Sequence, residues 1–268
     1  MKRFFQMTNI IRKVHVNAPF RLLVKKHLDR FIKDAINPEI GLDAESLDRF
    51  SADDFLQTAK LLHSRNLSIT FHGPFVDLSP GSPDPEIWNL TRKRYEQVLR
   101  LVPVFKPSTL VCHAGYEWKR YNYIRELWVE KSLEMWSWLS QRLADEGTLL
   151  TLENVYEHGP EDIEIIFESL AGKNVGFCFD IGHQSAFSRT SFEHWIKVLG
   201  PYIAQLHIHD NDTSRDQHKA LGTASIDFPS FFKLLKSIRS TPPVVTLEPH
   251  QEEDLIPSLE YLQKVWPW

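Results

Sequence analysis

Residues 148–183 read TLLTLENVYEHGPEDIEIIFESLAGKNVGFCFDIGH, a complete strand–helix–strand unit. TLLTL and VGFCF are apolar runs of strand length, bounded by polar and turn residues. Between them, 160–171 carries apolar residues at helical spacing. It opens on Pro160, where a missing N–H costs a helix nothing. Each apolar run closes on an acid, Glu153 and Asp180, and His183 follows Asp180 by about one helical turn.

The same unit repeats outward in both directions. Upstream, strands are expected near 14–16, 38–42, 67–71 and 109–112. Helices are expected over 20–35, 51–66, 86–105 and 123–146. Ser51 with Asp54 three residues later is a capping-box pattern at a helix start. Downstream, strands are expected at 203–208 and 244–247, and helices over 192–199, 228–239 and 252–265. Eight βα units in 268 residues predict an α/β protein with one closed (β/α)8 TIM barrel over 14–268 and a short N-terminal extension over 1–13. An open, doubly wound sheet is the competing architecture. It is expected to carry a glycine-rich phosphate loop after an early strand, and neither GxGxxG nor a P-loop occurs.

Composition narrows the class. The chain is 42% hydrophobic and 25% charged, which excludes disordered, collagenous and coiled-coil chains. Lys and Arg number 31 against 35 Asp and Glu, so no basic excess supports a duplex-wrapping protein, although a local basic rim stays open. Two cysteines, Cys112 and Cys178, cannot scaffold a domain of this size and read as small buried hydrophobes. The N-terminus lacks the apolar core of a secretory signal, and no apolar run reaches membrane-spanning length. A cytoplasmic location with no membrane partner is the expectation.

Barrel enzymes build their sites at the C-terminal ends of the strands. Here the last six strands close on His72, His113, Glu153, Asp180, His207 and Glu248. His, Asp and Glu are about one residue in six, so chance predicts about one such ending among six. Side chains alternate along a strand. With these six pointing inward, Phe71, Leu152, Phe179, Leu206 and Leu247 point out to the helices, and Thr70, Thr151 and Thr246 face the interior. A buried ring of imidazoles and carboxylates is costly unless something neutralises it. A divalent cation does so, and the mixed donors suit Zn or Mn (Co and Fe also) better than Ca. After the seventh strand, Asp216 and His218 lie two residues apart on a polar loop, where they could clamp a further cation or a polar substrate.

The elements HGPF, CHAG, LEN, FDIGH, LHIHDND, DQHxxLG and LEPH, in this order, resemble the xylose-isomerase-like TIM-barrel superfamily. That superfamily holds sugar phosphate isomerases and epimerases, inosose dehydratases and the endonuclease IV (AP endonuclease family 2) enzymes. The isomerase branch implies one divalent ion held by Glu153, Asp180, His207 and Glu248. Glu153 and Glu248 then serve as the catalytic acid/base pair, and His183 contacts substrate. The endonuclease branch implies three zinc ions: one on His72, His113 and Glu153, one on Glu153, Asp180, His207 and Glu248, and one on His183, Asp216 and His218. All nine positions carry the matching residue types.

The loops favour a small substrate. The stretch after His72, PFVDLSPGSPDP, has two Asp and no cation. The modest rim formed by Trp118, Lys119, Arg189, Arg215 and Lys219 could hold a small phosphate as readily as a DNA backbone. The first reading is therefore a metal-dependent isomerase or epimerase of a small sugar or polyol, with one to three ions. His183, His209, Trp118, Lys119 and Arg189 are its expected substrate contacts. The alternative is a trinuclear zinc phosphoesterase acting on abasic DNA or a small phosphoester. A non-catalytic metal- or sugar-binding barrel ranks third. His15, Asn17 and Glu39 could floor the pocket or simply pair with neighbours. His27, His63, His158, His194 and His250 read as surface residues. Oligomeric state is left open.

Overall fold

The computed structural model describes residues 8–268. Eight parallel strands close into a barrel in chain order. They are β1 (His15–Pro19), β2 (Asn37–Gly41), β3 (Thr70–His72), β4 (Thr109–His113), β5 (Leu149–Glu153), β6 (Val175–Asp180), β7 (Ile203–Ile208) and β8 (Val244–Leu247). β1 pairs with β8 through His15 opposite Thr246 and Val16 opposite Leu247, so no edge remains and the open-sheet alternative falls away. The expected single (β/α)8 barrel is the observed fold.

One principal helix follows each strand. α1 begins at Phe20–Leu22, passes through a π turn at Leu23–His27 and ends as Leu28–Asp34. The others are α2 (Ala52–Ser64), α3 (Pro85–Leu99), α4 (Arg125–Ala144), α5 (Glu164–Ser169), α6 (Phe192–Leu199), α7 (Phe228–Ile238) and α8 (Leu255–Val265). The capping box at Ser51 and Asp54 is present in both directions. None of the helices among the described residues is long and apolar enough to cross a membrane.

Several boundaries moved for physical reasons. The third strand is Thr70–His72 instead of 67–71, because side chains take over the chain before it. Ser68 N donates to Asn37 Oδ1, and its hydroxyl meets His15. The expected helix over 86–105 ends at Leu99. A separate turn over Val102–Phe105 holds Pro103, which lacks the N–H that a continuous helix needs there. Short helices at Ala44–Arg49, Trp118–Tyr121 and Ile181–Phe187 were not expected. They are too short to show a hydrophobic period and are set by their loops.

The alternation holds around the ring. Phe71, Leu152, Phe179, Leu206 and Leu247 are all buried between sheet and helices. Phe179 stacks on Trp195 of α6 at 5.8 Å, and Phe71 meets Phe105 edge-on at 5.3 Å. Trp128 and Trp136 of α4 are fully buried and Trp88 of α3 nearly so, as packing anchors. Thr70, Thr151 and Thr246 line the interior with Gln205 and Glu39 in one hydrogen-bonded polar layer. Ahead of the barrel, Thr8–Ile11 forms a helical turn whose Ile10 and Ile11 are buried in the core. Residues 1–7 of the expected extension lie outside the described residues.

Candidate functional site

The strand ends converge. Across the ladders His113 sits opposite Glu153 and Asp180 opposite His207, so four strands deliver neighbouring side chains to one layer. Ligand-capable atoms of Glu153, Asp180, His207 and Glu248 lie within 4.8 Å of one another, and all four residues are buried. Three further groups satisfy the same distance: His72, His113 and Glu153; His72, His207 and Glu248; and His183, His209, Asp216 and His218. All nine residues named from the sequence as ligand candidates therefore fall into one continuous cluster.

Backbone and side-chain partners orient the rings. His72 Nδ1 bonds the carbonyl of Gly73 (2.9 Å), His183 Nδ1 that of Asn154 (3.0 Å) and His218 Nδ1 that of Glu248 (2.9 Å). A ring nitrogen that donates to a carbonyl fixes the tautomer and leaves Nε2 as the lone-pair donor. His207 is turned the other way. Its Nε2 is 3.0 Å from Glu39 Oε1, so Nδ1 faces the cluster, 3.2 Å from both Glu153 Oε1 and Glu248 Oε1. Asp180 divides its oxygens: Oδ1 caps the Ile181–Phe187 helix by accepting from His183 N (2.7 Å), and Oδ2 faces the cluster. Asn154 ties β5 to β6 by bonding both the N–H and the C=O of Asp180 (2.9 Å each).

The loop carrying Asp216 and His218 hangs on Asp210, a fully buried carboxylate that accepts from the backbone of Asn211, Ala224 and Ile226. His218 itself sits at φ 48°, the left-handed region, a strained backbone held by this loop. Its ring stacks between His209 and His250, at 3.7 Å on each side.

The donor set fits a divalent cation. Glu153 Oε1, Asp180 Oδ2, His207 Nδ1 and Asp216 Oδ1 are buried without an aligned hydrogen-bond partner, though each lies near a complementary atom. Three of these atoms, on Glu153, Asp180 and His207, belong to one ligand group and the fourth, on Asp216, to another; bound cations would satisfy them, and imidazole with carboxylate suits Zn or Mn. The electrostatics of the cluster's own side chains follow from their neighbours. Burial pushes Glu153 up, but His207 and His113 outweigh it and hold the carboxyl well below its usual range. Burial pushes His183 down, and Asp180, Asp216 and Glu153 more than restore it, well above its usual value. His207 is raised in the same way by Cys178 and the surrounding glutamates. His113 is lowered to about 3 by burial, which Glu153 at 3.6 Å offsets only in part and the neighbouring imidazoles of His72, His183 and His207 reinforce.

A cavity of about 560 Å³ opens above this cluster, and His72, His113, Glu153, His183, Asp216, His218 and Glu248 form its floor. Asp180, His207 and His209 lie beneath. His209 is therefore no direct cavity contact. It is covered by His218 and sits between Asp180 Oδ1 (3.2 Å) and Asp216 Oδ1 (3.6 Å). Trp118, Lys119 and Arg189 are exposed and stand off the cavity wall, Trp118 stacking on His158. His250, read as a surface residue, is on the rim of the wall, because the stack on His218 draws it in. Its pKa is lowered to about 4, by burial and by His218.

From the sequence Glu39 is open between flooring the pocket and pairing with neighbours. It is a fully buried acceptor for Asn17, Thr70, Gln205, His207 and Thr246. Its partner Gln205 was missed, along with Arg94, Phe75, Tyr156 and Phe187 on the cavity wall. The one available signal was Gln205 itself, an amide two residues before His207 and so on the same inward face.

The comparisons agree with this architecture. The TTHB071 protein of Thermus thermophilus, solved after soaking with ZnCl2, superposes with a TM-score of 0.81 at 26% identity, covering 95% of this chain and 98% of that one. A D-tagatose 3-epimerase-like protein shares the fold, with a TM-score of 0.76 at 22% identity over 94% of this chain and 97% of its own. Among curated sequences, MJ1311 of Methanocaldococcus jannaschii, described as uncharacterized, is 28% identical over 206 residues, 74% of this chain and 70% of that protein. A family model described as xylose isomerase-like TIM barrel matches residues 37–265, and the chain belongs to that family.

Proposed function

We propose that this protein is a divalent-metal-dependent isomerase or epimerase of a small sugar or polyol. The carrying observation is the convergence of Glu153, Asp180, His207 and Glu248, buried and with ligand atoms mutually within 4.8 Å, where Glu153 and Glu248 reach the floor of a cavity and Asp180 and His207 lie beneath it. A divalent cation held by these four would act as a Lewis acid on the substrate's oxygens. Glu153 and Glu248 both reach the cavity and approach His207 Nδ1 from different strand ends. One carboxylate takes the proton from the carbon beside a carbonyl, and the other delivers a proton to its new position. His183 and His72, with their rings fixed by backbone carbonyls, hold substrate hydroxyls over the pair.

The test is a panel of aldoses and ketoses with Mn- or Zn-loaded protein, read by product formation and by solvent deuterium entering a substrate C–H position. Glu153→Gln and Glu248→Gln should each lower turnover by about 10²–10⁴-fold. No turnover of any sugar and no deuterium incorporation would overturn the reading.

A second reading rests on a separate observation, the two additional ligand groups around His72/His113 and His183/Asp216/His218. These leave room for three ions and support metal-assisted phosphoester hydrolysis, with the zinc-soaked Thermus relative as a parallel. It predicts three metals per chain and nicking of an abasic duplex. One metal per chain with no nicking would dismiss it.

A further inference from the structure

We propose that the substrate carries an uncharged apolar or aromatic substituent beside the polar group it presents to the ligand cluster. A sugar that carries an alkyl or aryl group and keeps the carbonyl the reaction needs, such as an alkyl or aryl keto-glycoside, fits that description, and a phosphorylated sugar does not. The inference rests on the sugar or polyol reading of the same site.

The cavity has two chemistries. Its floor is the imidazole and carboxylate cluster. Its upper wall is a collar of Leu22, Leu42, Phe75, Val76, Tyr156 and Phe187. The collar starts on the ligand rings themselves. Phe75 stacks on His113 at 4.3 Å, and Phe187 lies 6.1 Å from His183 and 5.1 Å from Tyr156. A molecule that touches the floor and fills the space therefore touches the collar. Phe75, Val76 and Tyr156 are 48%, 69% and 53% exposed, a concentration of bare apolar surface around one mouth. Hydroxyls pressed against Leu22, Leu42 and Val76 would lose water and gain no partner, which penalises a polyol extending to the rim. An apolar substituent gains there.

Charge argues against a phosphate in the same place. Outside the ligand cluster, the charged residues of the wall are Asp43 and Arg94. Arg94 is committed to Asp48 (2.6 Å) and Gln97 (2.9 Å), and Asp43 caps the Ala44–Arg49 helix. Barrel enzymes often seat phosphate near the loops after their last strands. Here the turn leading into α8 is Glu252-Glu253-Asp254, which brings no cation to the wall. Lys119, Arg189, Arg215 and Lys219 all stand off the wall.

The test measures binding, apart from turnover. Methyl and phenyl glycosides of glucose, galactose and xylose, with glucose 6-phosphate, are titrated calorimetrically into metal-loaded full-length protein. For at least one sugar, phenyl should bind about tenfold tighter than methyl. That ratio should fall to about threefold or less in Phe75→Ala and Tyr156→Ala, whose exposed side chains are removed at little cost to folding. A phenyl-to-methyl ratio near one, a ratio unchanged in both variants, tighter binding of the phosphate, or no binding of any probe overturns the proposal. So does a dimer, seen by sedimentation, that Val76→Asp dissociates, because a second copy then covers the collar. Aryl preference without isomerisation or epimerisation would refute the proposed reaction alone. Turnover of sugars with no aryl preference would refute this inference alone.

Discussion

Replacing Glu39 by Gln tests whether the polar layer beneath the cluster sets both stability and metal affinity. The substitution preserves volume but removes the charge facing His207 Nε2 at 3.0 Å and puts a donor among the donors of Asn17, Thr70, Gln205 and Thr246. Burial alone would raise the Glu39 carboxyl, yet His207, with smaller contributions from His72 and Asn17, brings it down to about 2 from 4.5. By linkage that lowering is worth about 3 kcal/mol of stability at neutral pH. A depressed carboxylate contributes fully above its unfolded value and loses the contribution as pH falls through its folded one. The wild-type advantage should thus stay flat from pH 7 to 5 and shrink steadily below 4.5 toward 2. Urea unfolding of the chelated proteins across that range measures it. Because Glu39 orients His207, the variant should also bind Zn or Mn about 10–100-fold more weakly in competition with a chromophoric chelator. A stability difference under about 1 kcal/mol with unchanged metal affinity would refute the reasoning.

Other outcomes follow from the same geometry. Gly182→Ala places a Cβ about 2.0–2.5 Å from three atoms of the buried His209 ring, so the turn linking Asp180 to His183 must shift. It should cost about 1–3 kcal/mol and weaken metal binding, both lost if a folded variant binds metal as wild type does. The carboxylates around them hold His183 and His207 above their ordinary pKa. A cation taking these ring nitrogens competes with protons for them, so calorimetry in buffers of different ionisation enthalpy should show proton release, with affinity rising as pH rises. Affinity that is flat with pH would contradict that. Ser51→Ala removes one arm of the capping box on α2, off the cavity wall, and should cost about 1 kcal/mol without altering metal affinity.

Much of the fold was legible because parallel strands in a barrel are buried on both faces and bounded by turns, so β1–β8 stand out as short apolar runs between helical periods. The ligand candidates were legible for the same reason. Six consecutive apolar strands closing on His, Asp or Glu is far more than chance supplies. Elements without a period were not legible: the turn at Ile181–Phe187 is fixed by Asp180 capping it, and β3 begins late because Asn37 and His15 hold Ser68. His250 and Phe75 were invisible as site residues because their position depends on stacking against His218 and His113, which come from other strands and loops.

By itself the sequence determined which residues end the strands, and with the period-two alternation it determined that they face inward together. Only closure of the ring decided which of them meet. β1 pairing with β8 brings Glu39 under His207 and Thr246, contacts separated by 168 and 207 positions along the chain. Tertiary structure likewise decided that His209 is a buried bridge between Asp180 and Asp216, and that Trp118, Lys119 and Arg189 stand away from the wall. Strand periodicity acts over a few residues and can be read locally. Ring closure, loop anchoring on Asp210 and the apolar collar arise from packing between distant segments, which no local pattern encodes.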